Sequence, residues 1–276
     1  MSMKLSRTYK IAIVTILVFV TIIMVGPFIW MFITSLKTYD ETIHTPMLWF
    51  PAKAQWVNYK IVADKYPFLT LYRNTFLVVI GTVISQLFFA SMAAYAFARL
   101  KFPFKNTIFL GMLCLLMVPS QIFLIAQYNV MVKFNLTNTI QALIIPHMFT
   151  VFGMFLLRQF FAAIPMELED AARIDGAGTF RIYWQIMLPL VTPGLVALGI
   201  LTMIGSWKEL LWPLIVNSDM SKMTLSAGLA YLIGEHTTFY QQVMAGAVIS
   251  VLPMVIIFTL FQKKFVESIA QTGIKG

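Results

Sequence analysis

Six long runs free of Asp, Glu, Lys and Arg dominate this chain: Ile11–Ser35, Asn74–Ala98, Asn106–Val132, Phe134–Leu157, Ile182–Trp207 and Thr237–Gln262. An uncharged run of about 20 residues is what crosses a hydrocarbon core roughly 30 Å thick. Inside lipid each segment must satisfy its own backbone hydrogen bonds, so every run is expected to be helical. The fold class expected is therefore all-α, a polytopic membrane protein with six transmembrane helices forming a single transmembrane domain over residues 1–276. Only 11% of the side chains are charged, against roughly 25% in soluble domains, which excludes a water-facing globule.

Several function classes are disfavoured by what the chain lacks. Cys114 is the single cysteine, so neither an internal disulfide nor a cysteine metal cluster can be built. His44, His147 and His236 are far apart and form no ligand-spaced pair, so no bound metal is expected. There is no G-x-x-x-x-G-K-[ST] phosphate loop, nucleophile elbow or zinc motif, which argues against ATP binding by this chain and against a membrane enzyme. The net charge of +9 comes from cations that punctuate the apolar runs, so it reads as topology signal and not as a nucleic-acid footprint.

Those cations orient the chain, because cytoplasmic loops hold the excess of Lys and Arg. With both termini in the cytoplasm, that side receives Lys4, Arg7, Lys10, Arg99, Lys101, Lys105, Arg158, Arg173, Arg181, Lys263, Lys264 and Lys275. The other side receives Lys133 and Lys222, together with Lys37, Lys53, Lys60, Lys65 and Arg73 of a long first loop where Asp40, Glu41 and Asp64 offset them. The first run, behind Lys4, Arg7 and Lys10, is too long for a signal peptide and lacks a small-residue cleavage site, so it is read as an uncleaved anchor. Prolines at Gly26-Pro27, Pro119, Pro146, Pro193, Pro213 and Pro253 interrupt the runs and are read as bundle packing, not hinges. Gly194, Ala197 and Gly199 would permit close helix contact.

One inside loop, at about 158–188, is long, charged and organised as helix, break, helix. Pro165 suits a first helical turn, and Glu167, Glu169 and Asp170 lie where the positive end of the helix dipole favours anions. Asp175-Gly176 predicts a C-terminal break, and Thr179 is placed to cap a second helix running toward Pro189. Leu168, Ala171, Ala172 and Asp175 give the first helix a face of mostly small residues that a partner could approach closely.

The spacing Asp170-Ala171-Ala172-x3-Gly176-x9-Ile186-x-Leu188-Pro189 resembles the E-A-A-x3-G-x9-I-x-L-P signature of permease subunits in bacterial ABC importers, with Asp170 standing where that family has its first glutamate. Asn58-Tyr59-Lys60, Arg73-Asn74-Thr75, the A-Y-A-F-A-R run from Ala94, L-R-Q-F-F from Leu157 and Gly205-Ser206-Trp207-x4-Trp212-Pro213-Leu214 are similar to the carbohydrate-uptake branch, whose best-known members are the maltose transporter's inner-membrane subunits. The tail Gly273-Ile274-Lys275-Gly276 favours the second of those two subunit types.

The resemblance implies a type I ABC importer transmembrane domain and a permease subunit that translocates a sugar or oligosaccharide across the bacterial cytoplasmic membrane without being an enzyme. The implied partners are a second, similar permease subunit, two cytoplasmic ATPase subunits that bind ATP and Mg, an extracytoplasmic solute-binding protein and membrane lipid, with no nucleic acid. Glu169, Asp170, Ala171, Ala172, Asp175 and Gly176 are then the joint to the ATPase. A permease for a glycerol phosphate ester or a peptide is the alternative within transport. A membrane enzyme or an assembly scaffold is the alternative outside it.

Lys208-Glu209, beside Trp207 and Trp212, departs from the family pattern, which usually has a neutral amide after the first tryptophan. An interfacial pair with a snorkelling lysine between aromatic anchors explains it. So does a cation that lines the translocation path and favours an acidic oligosaccharide. Trp207, Lys208 and Trp212 are the substrate-path candidates.

Overall fold

The computed structural model describes residues 7–233 and 238–273. Among them there are helices and turns and no strand. They group into two compact units, one made of residues up to Pro67 together with Leu229–Val255, the other of Phe68–Gly228 together with residues from Ile256 on.

Three helices are long and apolar enough to cross a membrane unbroken, and three bent pairs bring the number of spans to six if each pair is one span. Helix α1 (Arg7–Ser35) and helix α2 (Phe68–Arg99) cover the first two runs. The third run is not one helix: α3 (Lys105–Leu115) is followed by a segment, Ser120–Lys133, bent from it by 95° and containing α4 (Leu124–Lys133). Pro119 sits at that break and cannot donate an N–H. The amides of Leu116, Met117 and Val118 close instead on carbonyls three residues back, at 3.0, 3.1 and 3.2 Å.

The fourth run opens six residues later than expected. Asn135 and Asn138 take left-handed backbone angles (φ 53° and 60°), which Asn tolerates because its short side chain bonds locally. The chain becomes helical at α5 (Ile140–Ile144), bends by 47° after a 3₁₀ turn holding Pro146, and continues as α6 (Val151–Ala162). A short helix, α7 (Glu167–Ile174), follows.

The fifth run is likewise bent, by 77°, between Thr179–Leu190, which contains a π-helical stretch Ile182–Met187, and α8 (Thr192–Lys208). A short helix, α9 (Leu211–Val216), precedes the last, α10 (Tyr240–Gly273), whose spanning part is Tyr240–Thr259. The expected start of the sixth run, Thr237, lies outside the described residues, as do His236, Lys4 and the Ile274-Lys275-Gly276 tail. Pro27, Pro213 and Pro253 lie inside helices, while Pro119, Pro146 and Pro193 accompany bends.

In the second unit α2 packs chiefly against α6 and α8. Its small Ala90 and Ala94 are fully buried beside Met154, Leu157, Phe161 and Leu198. Close approach depends on glycine at two points. A Cβ on Gly194 would stand 2.6 Å from the Phe160 ring, and one on Gly153 would stand 2.9 Å from Leu198. Gly199 is less demanding, with Leu87 at 3.7 Å.

In the first unit Lys37, expected in a solvated loop, is only 1% exposed. Its ammonium donates to the Leu48 carbonyl at 2.6 Å and lies 4.0 Å from the centre of the Trp30 ring. Burial pushes its pKa down while Glu41 pushes it back up. Asn58 completes this end of α1 by donating to the carbonyls of Ser35 and Lys37 at 2.8 and 2.9 Å. Glu41 closes a capping box with Thr38 and also accepts from the Ala52 amide at 2.8 Å.

Two outcomes follow from this packing. Gly194→Val should destabilise the detergent-solubilised protein by about 1–3 kcal/mol, the usual cost of overpacking, read as a lower midpoint in thermal unfolding. The Thr38 and Ala52 amides hold the Glu41 carboxyl below its ordinary pKa. Its contribution is therefore present above the unfolded-chain value near pH 4.3 and is lost as pH falls through the lower folded value. Amide exchange at Ala52, corrected for intrinsic rate, should speed up on acidification and be insensitive to that change in Glu41→Gln.

Candidate functional site

Helix α7 is two-faced. On its inner side Ala172 joins the core formed by Tyr95, Phe161 and Tyr183, and Glu169 is 2% exposed. One Glu169 oxygen, Oε1, accepts from the Tyr95 hydroxyl at 3.1 Å and from Arg173 at 2.9 Å. The other, Oε2, lies 4.0 Å from Nε of Arg99, an ion pair without a hydrogen bond. Arg99 is the last residue of α2, and its Nη2 donates to the carbonyls of Phe161 and Ile164. The hydrogen bond to Glu169 also raises the Arg173 pKa above its ordinary value. One carboxylate thus ties α7 to the end of α2.

The outer side presents Asp170, Ala171, Asp175 and Gly176, all exposed, with Leu168 and Ile174, the latter 86% exposed. Of the expected joint residues, Glu169 and Ala172 face inward and the other four outward, so the small face foreseen from Leu168, Ala171, Ala172 and Asp175 is split between the two sides. The helix begins at Glu167, leaving Pro165 ahead of its cap, and Gly178, not Thr179, occupies the cap position of the next helical turn.

The break after α7 follows from its hydrogen bonds. Ala177 donates to Ala172 at 2.9 Å and Gly176 to Arg173 at 3.0 Å, the paired closure of a helix that ends in a left-handed residue. Gly176 is that residue, at φ 80°. The turn thereby gives partners to the Ala172 and Arg173 carbonyls near the helix's C-terminal end.

A second candidate lies higher on α2. A cleft of about 480 Å³ is lined by α2, α5, α8, α9 and Thr224, with Lys208 and Glu209 on its wall. Gln86 spans its floor, accepting from Thr202 at 2.7 Å and donating to the His147 carbonyl at 2.8 Å. The hydroxyls of Thr82 and Thr224, both in buried residues, have no hydrogen-bond partner.

Trp212 lines the cleft while its indole N–H donates to the Ala142 carbonyl at 2.9 Å. Trp207 is 8% exposed, packs edge-on against Phe76 at 5.3 Å, and is not part of the wall. Of the three path candidates, Lys208 and Trp212 therefore share the cleft and Trp207 does not. Among the described residues no three His, Cys, Asp or Glu side chains come together as a metal site.

Thr82, Gln86, Thr202, Ser206 and His147 were not legible as a group from single residues. A signal existed in the spacing, since Thr82 and Gln86, and Thr202, Ser206 and Glu209, recur every three or four residues and so stripe one face of an apolar helix.

Removing one partner of a buried charge group costs about 3–5 kcal/mol, whereas exposed changes stay within about 0.5 kcal/mol. Glu169→Ala should therefore lower the thermal midpoint in detergent clearly and Asp170→Ala hardly at all. Equal shifts would mean that the Arg99–Glu169–Arg173 group holds nothing in place.

Residues 86–271 match the model of the binding-protein-dependent transport system inner membrane component family. The arabinooligosaccharides transport system permease protein AraQ of Halalkalibacterium halodurans is 34% identical over 94% of each chain. AraQ of Bacillus subtilis is 31% identical over 97% of this chain and 96% of its own. The sn-glycerol-3-phosphate transport system permease protein UgpE of Agrobacterium fabrum is 32% identical over 91% and 92%. Among solved structures, a chain of a bacterial ABC transporter involved in the import of the acidic polysaccharide alginate has the same fold, with a TM-score of 0.81 at 22% identity, covering 96% of this chain and all of that one. With two-thirds of its length matched by the family model and relatives at this identity end to end, the chain belongs to the inner-membrane components of binding-protein-dependent transport systems.

Proposed function

We propose that this chain is one permease subunit of an ATP-driven, binding-protein-dependent importer of oligosaccharides. The observation that carries the reading is the two-faced elbow: α7 is fastened to α2 through Glu169 and Ala172, while Asp170, Ala171, Asp175 and Gly176 are exposed. The sugar class is supported by the two arabinooligosaccharide relatives.

In this reading both termini are cytoplasmic and two ATPase subunits, which hold ATP and Mg, dock on the outer face of α7. A second, similar permease subunit completes the path, and an extracytoplasmic binding protein delivers the sugar. Exposed Leu168 and Ile174 supply apolar contact, and Asp170 and Asp175 supply charge for a basic edge of the ATPase. Closure of the ATPase moves α7, and the Glu169 tie passes that displacement to α2. ATP binding shifts the conformational balance only by as much as it prefers one state. The chain itself makes and breaks no covalent bond.

The test is sugar-stimulated ATP hydrolysis by the reconstituted complex with its binding protein. Gly176→Pro removes the amide donated to Arg173 and demands a φ near −65° where 80° is needed, so stimulation should vanish. Asp170→Lys, at an exposed position that the fold does not need, should cut stimulation about tenfold or more by reversing a partner-facing charge. Full stimulation in both variants would remove the elbow from coupling. Stimulation by sn-glycerol 3-phosphate, and by no oligosaccharide, would replace the sugar class with the one in the name of the UgpE relatives.

A further inference from the structure

The loop after α1 turns back along the helix it has just left. Its base is closed, since the Gln55 amide donates to the Leu36 carbonyl at 2.9 Å and Asn58 holds the carbonyls of Ser35 and Lys37. Between these points Trp49 meets the Trp30 ring edge-on, with centroids 5.6 Å apart. Trp49 and Phe50 share an apolar groove of about 420 Å³ with Ile22, Val25, Gly26 and Ile29 of α1. Trp56 is set against Phe32 in the same way, at 6.3 Å. Three of the six tryptophans of the chain therefore gather at one end of α1.

The level of this cluster follows from α1 itself, whose most apolar stretch has no residue buried within the protein. Counting from Ile11, which follows the cation Lys10, about 20 residues rising 1.5 Å each fill a hydrocarbon core roughly 30 Å thick. The far edge of the core then falls at Trp30. Trp49 stands at that boundary, and the groove beside Ile22 and Ile29 lies on its hydrocarbon side.

The loop is built for such a place. From Thr42 to Ala52 it has no Asp, Glu, Lys or Arg, and Trp49 and Phe50 are 66% and 73% exposed, with Met47 and Trp56 exposed as well. Its backbone asks little of water: Pro46 and Pro51 have no amide to donate, and the Leu48 carbonyl takes the Lys37 ammonium. The Pro46 carbonyl takes Nδ1 of His44 at 2.9 Å, and the Ala52 amide is bound by Glu41. Irregular backbone survives near lipid only when its polar groups are met in this way. A soluble partner docking above the membrane does not reach side chains beside Ile22 and Ile29. Contacts between membrane helices favour small residues, whereas tryptophan is enriched where lipid meets water.

We infer that residues 47–50 form a membrane-inserted tip whose partner is the lipid of the leaflet at that end of α1, with Trp49 at headgroup level and an acyl chain lying over Gly26 beside Phe50. A Cβ built on Gly26 meets nothing within 4 Å, so the floor of the groove is open. The tip fixes the depth of α1. The uncharged run of 25 residues is about 37 Å long, more than the core needs, so length alone leaves that depth free.

In the whole complex in its native membrane, Phe50 is replaced by the photoreactive p-benzoylphenylalanine and the adduct formed on irradiation is identified by mass. The same replacement at exposed Lys53, beyond Pro51, is the reference. Position 50 should gain the mass of a phospholipid and position 53 should not. A protein adduct at position 50 overturns the inference and assigns the tip to the second permease or the binding protein, whichever is captured. No adduct there, or equal lipid capture at both positions, overturns it and places the tip in water. As a second reading, with Cys114→Ser in both variants, Phe50→Cys should react with a membrane-impermeant maleimide more slowly than Lys53→Cys by about tenfold or more, the scale of moving one such side chain out of water. Equal rates also overturn the inference.

Discussion

The fit of α2 against α6 and α8 is the constraint on which the rest of the second unit depends. In lipid, an apolar side chain gains little by leaving the acyl chains, so helices stay together through close van der Waals contact and a few polar links. Ala90, Ala94, Gly153 and Gly194 bring the backbones near enough for Leu157, Phe161 and Leu198 to fill the space between them. Because α2 contributes to both the elbow and the cleft, an error in this packing would displace both.

At one end of α2 the coupling is electrostatic. Arg99, Glu169, Arg173 and Tyr95 form a group in which the carboxylate is almost wholly buried. A buried ion pair is weak evidence for stability, since its desolvation cost offsets most of its attraction; its better-attested use is to set register. Here the register in question is that of α7 relative to α2. The exposed half of α7 carries no such obligation, which leaves its side chains free for another protein.

At the cleft the same helix turns from apolar to polar. Thr202, Gln86 and the His147 carbonyl make a small network in surroundings where an unmet polar group is expensive, and such networks hold their geometry for that reason. Lys208 and Glu209, adjacent in sequence, share the cleft wall, and the backbone leaves the helix between them. The Glu209 carboxylate caps α9, and Lys208 is exposed.

The uncharged runs were legible because transfer into lipid depends on composition, which is local. The first run, Ile11–Ser35, lies within α1 (Arg7–Ser35), and the Asp175-Gly176 break was readable because only glycine enters a left-handed cap without strain. The bends of 95°, 47° and 77° were not readable. An uncharged run reports that a segment is apolar, not that it is straight, and Pro27 and Pro253 look the same in sequence as Pro119 but leave their helices continuous. Which way a side chain turns about a helix axis was equally hidden. Glu169 inside and Asp170 outside, Lys37 buried, Trp207 packed away and Lys208 on a cleft wall are all consequences of neighbours distant in sequence. The sequence alone determined the all-helical membrane class, the family and the place of the elbow, since these rest on local composition and spacing. Tertiary structure alone decided which polar groups meet and which remain unmet, because that depends on the packing of segments up to 165 residues apart.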